Sequence, residues 1–136
     1  MPPPLIVVVD DEQAVLDMLS MALTYEGYRV LQCRTVAEAI ATITREQPAL
    51  VMLDLWIEPT AGAWDVSAAL AREASTATIP IIVCTGADAG RRQQPAHIQP
   101  QYLAFLDKPF SITALESAVE TALASRQDHS QLSRQS

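Results

Sequence analysis

Three aspartates, a threonine and a lysine are the residues of this chain best placed to do chemistry together. Asp10 and Asp11 directly follow the apolar run Leu5–Val9, Asp54 ends the run Leu50-Val51-Met52-Leu53, Thr85 follows Ile81–Cys84, and Lys108 stands just past Tyr102–Leu106. Each run has the character of a strand buried on both faces of a parallel sheet, and open α/β sheets bind ligands at the carboxyl edge of their strands. Taken singly, each residue has an ordinary alternative. Asp54 could start a turn, Asp10-Asp11 could cap a helix, Thr85-Gly86 is a common turn pair and Lys108-Pro109 a common loop. Their convergence on one edge is the stronger signal. Three carboxylates there repel one another unless a cation lies among them, and hard oxygen donors without His or Cys favour Mg²⁺. The lysine and the hydroxyl add donors suited to phosphoryl oxygens.

The elements that must position these residues alternate along the chain. After Leu5–Val9, the spacing of Val15, Leu16, Leu19, Ala22 and Leu23 predicts a helix that Gly27 ends. Tyr28–Cys33 is a shorter, more polar strand suited to a sheet edge, and Thr35 with Glu38 forms a capping-box pattern opening a second helix over Ala39, Ile40 and Ile43. Beyond Asp54, the segment from Leu55 to Ala63 carries Pro59 and Gly62 and predicts a loop, then Ala63–Glu73 a helix. A short fourth helix is expected from about Ala87, limited by Pro95 and Pro100, and Ser111 caps a last helix faced by Leu115, Ala118, Val119, Ala122 and Leu123. Five strands alternating with five helices imply an α/β fold, a doubly wound parallel five-stranded sheet with right-handed crossovers.

Size and composition bound the rest. The chain has 136 residues, enough for one domain with a real core, assigned here to residues 1–125, with a polar tail over 126–136 expected to be disordered. No apolar run approaches the ~18 residues of a membrane span. Pro2-Pro3-Pro4 leads straight into a strand with no signal-peptide features, and Cys33 and Cys84 have no metal-ligand spacing, so a cytoplasmic protein with reduced, buried thiols is expected. Net charge is −7, from 16 acidic and 9 basic residues, and Arg91-Arg92 alone is too little for nucleic acid.

The acid pair after strand one, the Asp ending strand three, Thr85-Gly86 after strand four and Lys108-Pro109-Phe110 after strand five together resemble the response-regulator receiver domain of two-component phosphorelays, over about residues 5 to 124. The resemblance implies the flavodoxin-like strand order 2-1-3-4-5. It implies Asp54 as phosphoacceptor, Asp10, Asp11, Asp54 and the Trp56 carbonyl as Mg²⁺ ligands, Lys108 as the phosphoryl contact, and Thr85 with Phe105 as the switch pair. A histidine kinase or phosphotransfer protein is the implied donor. The expected type is a stand-alone receiver with no effector domain, signalling through an unidentified partner, a homodimer or onward phosphotransfer, and catalysing only its own phosphorylation and dephosphorylation. Two alternatives from other classes are a phosphohydrolase using an aspartyl phosphate, disfavoured because Trp56 stands where such enzymes carry a second Asp, and a receiver-shaped module never phosphorylated, disfavoured because no site residue is missing. The sequence departs from the family pattern in two places. Pro59 lies five rather than four positions past Asp54, which implies one extra residue, with Ala63 where a glycine usually stands and Gly62 the candidate for its backbone role. The proline-broken stretch from Arg91 to Gln101 replaces a regular fourth helix. Trp56 and Ala87, both poor at orienting water, predict a long-lived acyl phosphate.

Overall fold

The structure, a computed structural model, describes residues 2–86 and 102–135, with side chains through Ser125. The expected fourth helix from Ala87 and the Arg91–Gln101 stretch lie outside the described residues. In chain order the elements are β1 (Leu5–Val9), α1 (Gln13–Tyr25), β2 (Arg29–Cys33), α2 (Val36–Glu46), β3 (Leu50–Asp54), β4 (Trp56–Glu58), β5 (Ala61–Gly62), α3 (Ala63–Ala71), α4 (Ala74–Ala77), β6 (Ile81–Thr85), β7 (Leu103–Asp107) and α5 (Ile112–Gln135). The main sheet is parallel, in the order β2-β1-β3-β6-β7, which is the expected 2-1-3-4-5 once the small hairpin strands are left out of the count.

The unbroken apolar runs have a direct physical cause. Successive strand residues point to opposite faces, and here both faces are covered. Val7, Val9, Val51, Leu53, Ile81 and Val83 pack with Ala39 and Ile43 of α2 and with Val66 and Leu70 of α3. Ile6, Val8, Leu50, Met52, Ile82 and Cys84 pack on the other face with Leu16, Leu19 and Leu23 of α1 and with Leu115, Val119 and Ala122 of α5. The two edge strands, β2 and β7, are less buried than the three between them.

Helix ends follow the sequence signals. Gly27 adopts φ 95° after α1, a conformation that costs an L-residue, and there the chain turns so that the Tyr28 N–H donates to the Leu23 carbonyl. The Thr35 hydroxyl accepts the Glu38 N–H at 3.1 Å, and the Ser111 hydroxyl accepts that of Ala114 at 3.0 Å.

Three stretches differ from expectation. The Leu55–Ala63 loop contains an antiparallel hairpin, β4 against β5, because Ile57 turns into the core while Trp56 stays exposed. The Ala63–Glu73 helix stops at Ala71 and a separate turn, α4, follows. There the buried Thr76 hydroxyl donates to the Leu70 carbonyl at 2.6 Å, satisfying an acceptor that a continued helix would have used. Finally, the backbone of α5 is helical to Gln135 where the composition suggested a disordered tail. Residues 126–135 contain neither Pro nor Gly, so nothing in them interrupts a helix nucleated on the packed face upstream.

Both cysteines are free and buried. Burial lifts the Cys33 thiol above its ordinary range and pushes Cys84 from 9.0 up to about 12. The folded state therefore holds the Cys84 proton more tightly than the unfolded chain does. The stability this contributes is complete below about pH 9 and is lost as pH rises toward 12. Since the thiolate is the reactive form, alkylation of Cys84 in native protein at pH 8 is expected to be on the order of a thousandfold slower than in denaturant. Mass spectrometry of iodoacetamide time courses checks this. Equal rates in the two conditions would contradict the burial.

Candidate functional site

The parallel register brings the acidic strand ends to one edge. The ladder pairs Val9 with Leu53 and Asp54 with Cys84, so Asp10 and Asp54 emerge from neighbouring strands at the same level. Thr85 ends β6 opposite Asp107, and its carbonyl accepts the Lys108 N–H at 2.7 Å, which holds the lysine backbone against the neighbouring strand. The Lys108 side chain then returns across the edge, and its Nζ donates to Asp10 Oδ2 and Asp54 Oδ1, each at 3.2 Å.

The environment of this triad is half-dry. The Asp10 side chain is 3% exposed, that of Asp54 18% and that of Lys108 27%. Asp10 Oδ1 also accepts the Glu12 N–H at 2.9 Å, so both of its oxygens are engaged. Burial lifts the Asp54 carboxyl above the usual carboxylate range; Asp10 adds to that, and Lys108 opposes it. For Lys108, burial favours loss of the proton, but the attraction of Asp54 and Asp10 outweighs it and the ammonium titrates above its ordinary value. One lysine thus holds two carboxylates that repel each other.

A third carboxylate, Asp11, lies outside the reach of that lysine's bonds. Asp10, Asp11 and Glu12 each offer an oxygen, all within 4.8 Å of one another. Hard carboxylate donors crowded this closely, one of them on a buried side chain, fit a small divalent cation. Asp54 stands outside this triple and joins it through Asp10 and Lys108. Glu12 is not among the residues singled out from the sequence; its place directly after two aspartates is the available signal.

Of the remaining predicted residues, Trp56 sits on β4, two past Asp54, paired with Gly62 and 52% exposed. Phe105 on β7 meets Trp64 of α3 edge-on, ring centroids 6.2 Å apart. Ala87 lies outside the described residues.

Backbone contacts past the strand ends involve two further side chains. Arg34 Nη2 donates to the Asp11 carbonyl at 2.8 Å, and Glu58 Oε2 accepts the Val36 N–H at 3.0 Å. Bonds to main-chain groups leave no pairwise pattern in a sequence, and no signal could have found these two.

Beside the site, Met18, Met21, Tyr25 and Ile112 are exposed and line a groove of about 370 Å³ between α1 and the start of α5. A second hollow of about 320 Å³, lined by Val15, Met18, Lys108, Pro109 and Phe110, continues it to the lysine of the site. Among the described residues, no helix is long and apolar enough to cross a membrane.

Comparison with known proteins agrees with this architecture. Residues 6–120 match the family model for the response regulator receiver domain. The chain is 34% identical to the probable transcriptional regulatory protein TcrX of Mycobacterium tuberculosis, covering 81% of this chain and 45% of the relative. It is 30% identical to the phosphate regulon transcriptional regulatory protein PhoB of Pseudomonas aeruginosa, covering 87% of this chain and 51% of PhoB. It therefore spans about half the length of these curated relatives. In fold it resembles the receiver domain of a sensor histidine kinase from Pseudomonas aeruginosa PAO1, a structure with magnesium coordinated in its active-site cleft, at TM-score 0.79 and 20% identity over 90% of this chain and 98% of that one. With the acid-ended strands, the lysine reaching across them and a family match over most of its length, the chain belongs to the response-regulator receiver domains of two-component signalling.

Proposed function

We propose that this receiver is a phosphorylation-dependent switch in which Asp54 accepts a phosphoryl group from a histidine kinase or phosphotransfer protein. The observation that carries it is the bridge from Lys108 Nζ to both Asp10 and Asp54 at 3.2 Å. An Asp54 oxygen attacks phosphorus, a new O–P bond forms as the donor's bond to phosphorus breaks, and the donor leaves with that electron pair. Lys108 already touches the attacking carboxylate and can follow the negative charge onto the incoming phosphoryl oxygens. Asp10, Asp11 and Asp54, with the Trp56 carbonyl, would hold Mg²⁺, which when bound supplies neutralising charge for the phosphoryl oxygens. Thr85, at the end of the strand beside Asp54, is the hydroxyl drawn to the product, and Phe105 follows it inward.

The apolar groove supports a protein as the donor. With the second hollow, which shares Met18 with it, it extends from Met21 and Tyr25 toward Lys108, so a helix resting its apolar side there would bring its own reactive group to the acceptor. The signal then passes to a partner protein, to a second copy or by onward transfer, in the cytoplasm where the donor works.

Acetyl phosphate with Mg²⁺ is the test: intact mass should show uptake of one phosphoryl group, and peptide mapping should place it on Asp54. Uptake at another residue, or none, would sink the assignment. A companion expectation concerns the cation. Because the carboxylates are crowded only in the folded state, Mg²⁺ should raise the melting temperature in a saturable way, by about 1–3 kcal/mol of added stability at a hundred times its dissociation constant or below. Asp11→Asn should remove most of that rise. If the rise persists undiminished in Asp11→Asn, the cation sits elsewhere.

A further inference from the structure

The main-sheet ladder fixes the strand ends, and one further backbone bond holds the residue just past each of β1 and β3, the Asp10 N–H donating to the Cys33 carbonyl and the Leu55 N–H to the Cys84 carbonyl. Between β1 and β3 the last aligned pair is Val9 and Leu53. Asp11 lies two positions beyond one end of it and Trp56 three beyond the other. Under the proposed function these two residues contribute to one magnesium site, and magnesium tolerates little departure from octahedral geometry. Those backbone bonds and the Lys108 bridge between Asp10 and Asp54 stop one residue short of Asp11 and of Trp56, which leaves room for further contacts to set the separation of the two loops.

The structure holds a connection with that geometry. The hairpin of β4 and β5 is clamped locally, since Ile57 is buried and Trp56 pairs with Gly62. From the same strand the Glu58 carboxylate reaches to the Val36 N–H, the first helical residue of α2, at 3.0 Å. Two residues back along the chain, the Arg34 guanidinium donates to the Asp11 carbonyl at 2.8 Å. Thr35, between them, spends its hydroxyl on the Glu38 N–H, so Glu58 serves a helix N-terminal donor that the cap leaves open. The segment 34–36 therefore lies between the acidic loop and the hairpin, bonded to each by one charge-assisted hydrogen bond.

We propose that Glu58 and Arg34 are positioning residues for the cation site: through segment 34–36 they form a strut that sets the spacing of Asp11 from Trp56. The inference rests on the magnesium reading above. An ordinary structural alternative is that Glu58 only caps α2, and the two make different predictions. A cap adds to stability whether or not the cation is present, whereas a strut changes how much cation is needed.

The experiment follows melting temperature against Mg²⁺ concentration for the parent, Glu58→Ala, Glu58→Gln, Arg34→Ala and the double Ala variant, taking the half-maximal concentration as the readout. Supporting groups of metal ligands commonly alter affinity by about tenfold or more. Glu58→Ala should raise the midpoint by about tenfold. Glu58→Gln, whose amide oxygen still accepts the Val36 N–H, should stay within about threefold of the parent. Because the two bonds act in series, the double variant should be no worse than the weaker single one, a departure from additivity that independent sites would not show. A Glu58→Ala midpoint within twofold of the parent, with only the cation-free melting temperature lowered, would overturn the strut in favour of the cap. So would additive midpoints, or a Gln variant as impaired as Ala. A parent with no magnesium response at all removes the cation reading itself, and the strut with it.

Discussion

Asp54→Asn should take up no phosphoryl group from acetyl phosphate, and without divalent cation it should melt at a higher temperature than the parent at neutral pH. The first result follows because an amide oxygen is a poor nucleophile and cannot form an acyl phosphate. The second follows from the environment of the carboxylate. Burial, then the neighbouring Asp10, raise the Asp54 pKa above 3.8 despite Lys108, so the folded protein favours the protonated form. Stability from that preference is fully present below the unfolded value and is lost as pH rises through the raised folded one. At neutral pH the parent carries the cost of an ionised, partly buried carboxylate, and the neutral Asn does not. The stability difference should therefore shrink as pH falls below about 4. Thermal melts of both proteins from pH 3 to 8 check it, and a parent more stable than Asp54→Asn throughout would show that the Lys108 pairing outweighs burial. Undiminished labelling of the variant would move the acceptor elsewhere.

Gly62→Ala should be the most damaging single-methyl change in the described part of the chain. A Cβ there would overlap the Leu55 carbonyl oxygen, stand 2.7 Å from its carbon and 3.0 Å from Trp56 Cα. All are backbone atoms held by the Trp56–Gly62 pairing and by the Ala63 N–H donating to Leu55, and none can rotate away. The backbone at Gly62 is extended and otherwise open to any residue, so the constraint is contact and not φ. Forced overpacking of this kind reaches about 3 kcal/mol, which lowers the melting temperature of a domain this size by about 10 °C. Gly86→Ala is the control: among the described residues nothing lies within 4 Å of its Cβ, and its melting temperature should be close to the parent's. Equal effects of the two substitutions would refute the close approach. A reduced Mg²⁺ response in Gly62→Ala is also expected, since the displaced backbone carries Trp56.

These two residues show what could be read from the chain beforehand. Asp54 and Asp10 were legible only together: an acid ending an apolar run has an ordinary alternative alone, and it was the convergence of both with Thr85 and Lys108 on one edge that singled them out. The sheet order followed from resemblance, and the register then did what no spacing argument can, bringing Lys108 to Asp10 and Asp54 across 98 and 54 positions. Gly62 was suspected from a displaced proline, yet the hairpin that constrains it was missed. β4 has three residues and β5 two, too short for an alternation to register. The early end of α3 was hidden because it depends on the Thr76 hydroxyl reaching Leu70, a bond made only after the chain has turned. Arg34 and Glu58 escaped for a similar reason, as both bond to backbone. The individual roles of Thr85, Phe105 and Trp56 came from family likeness and not from composition.

The placement of the two indoles has an optical consequence. Trp56 lies half in solvent two residues past Asp54, whereas Trp64 presents its Nε1 to the interior with no hydrogen-bond partner among the described residues, its ring edge-on to Phe105. An indole in water relaxes its solvent and emits at longer wavelength; one without a polar partner emits at shorter wavelength and is shielded from iodide. The protein thus carries two fluorophores distinguishable by colour and by quenching; under the proposed function one would report on cation and phosphoryl group at the surface, the other on any displacement of Phe105 within. Simultaneous recording of both bands after a phosphodonor is mixed in would time the chemistry and the internal rearrangement separately, without a label.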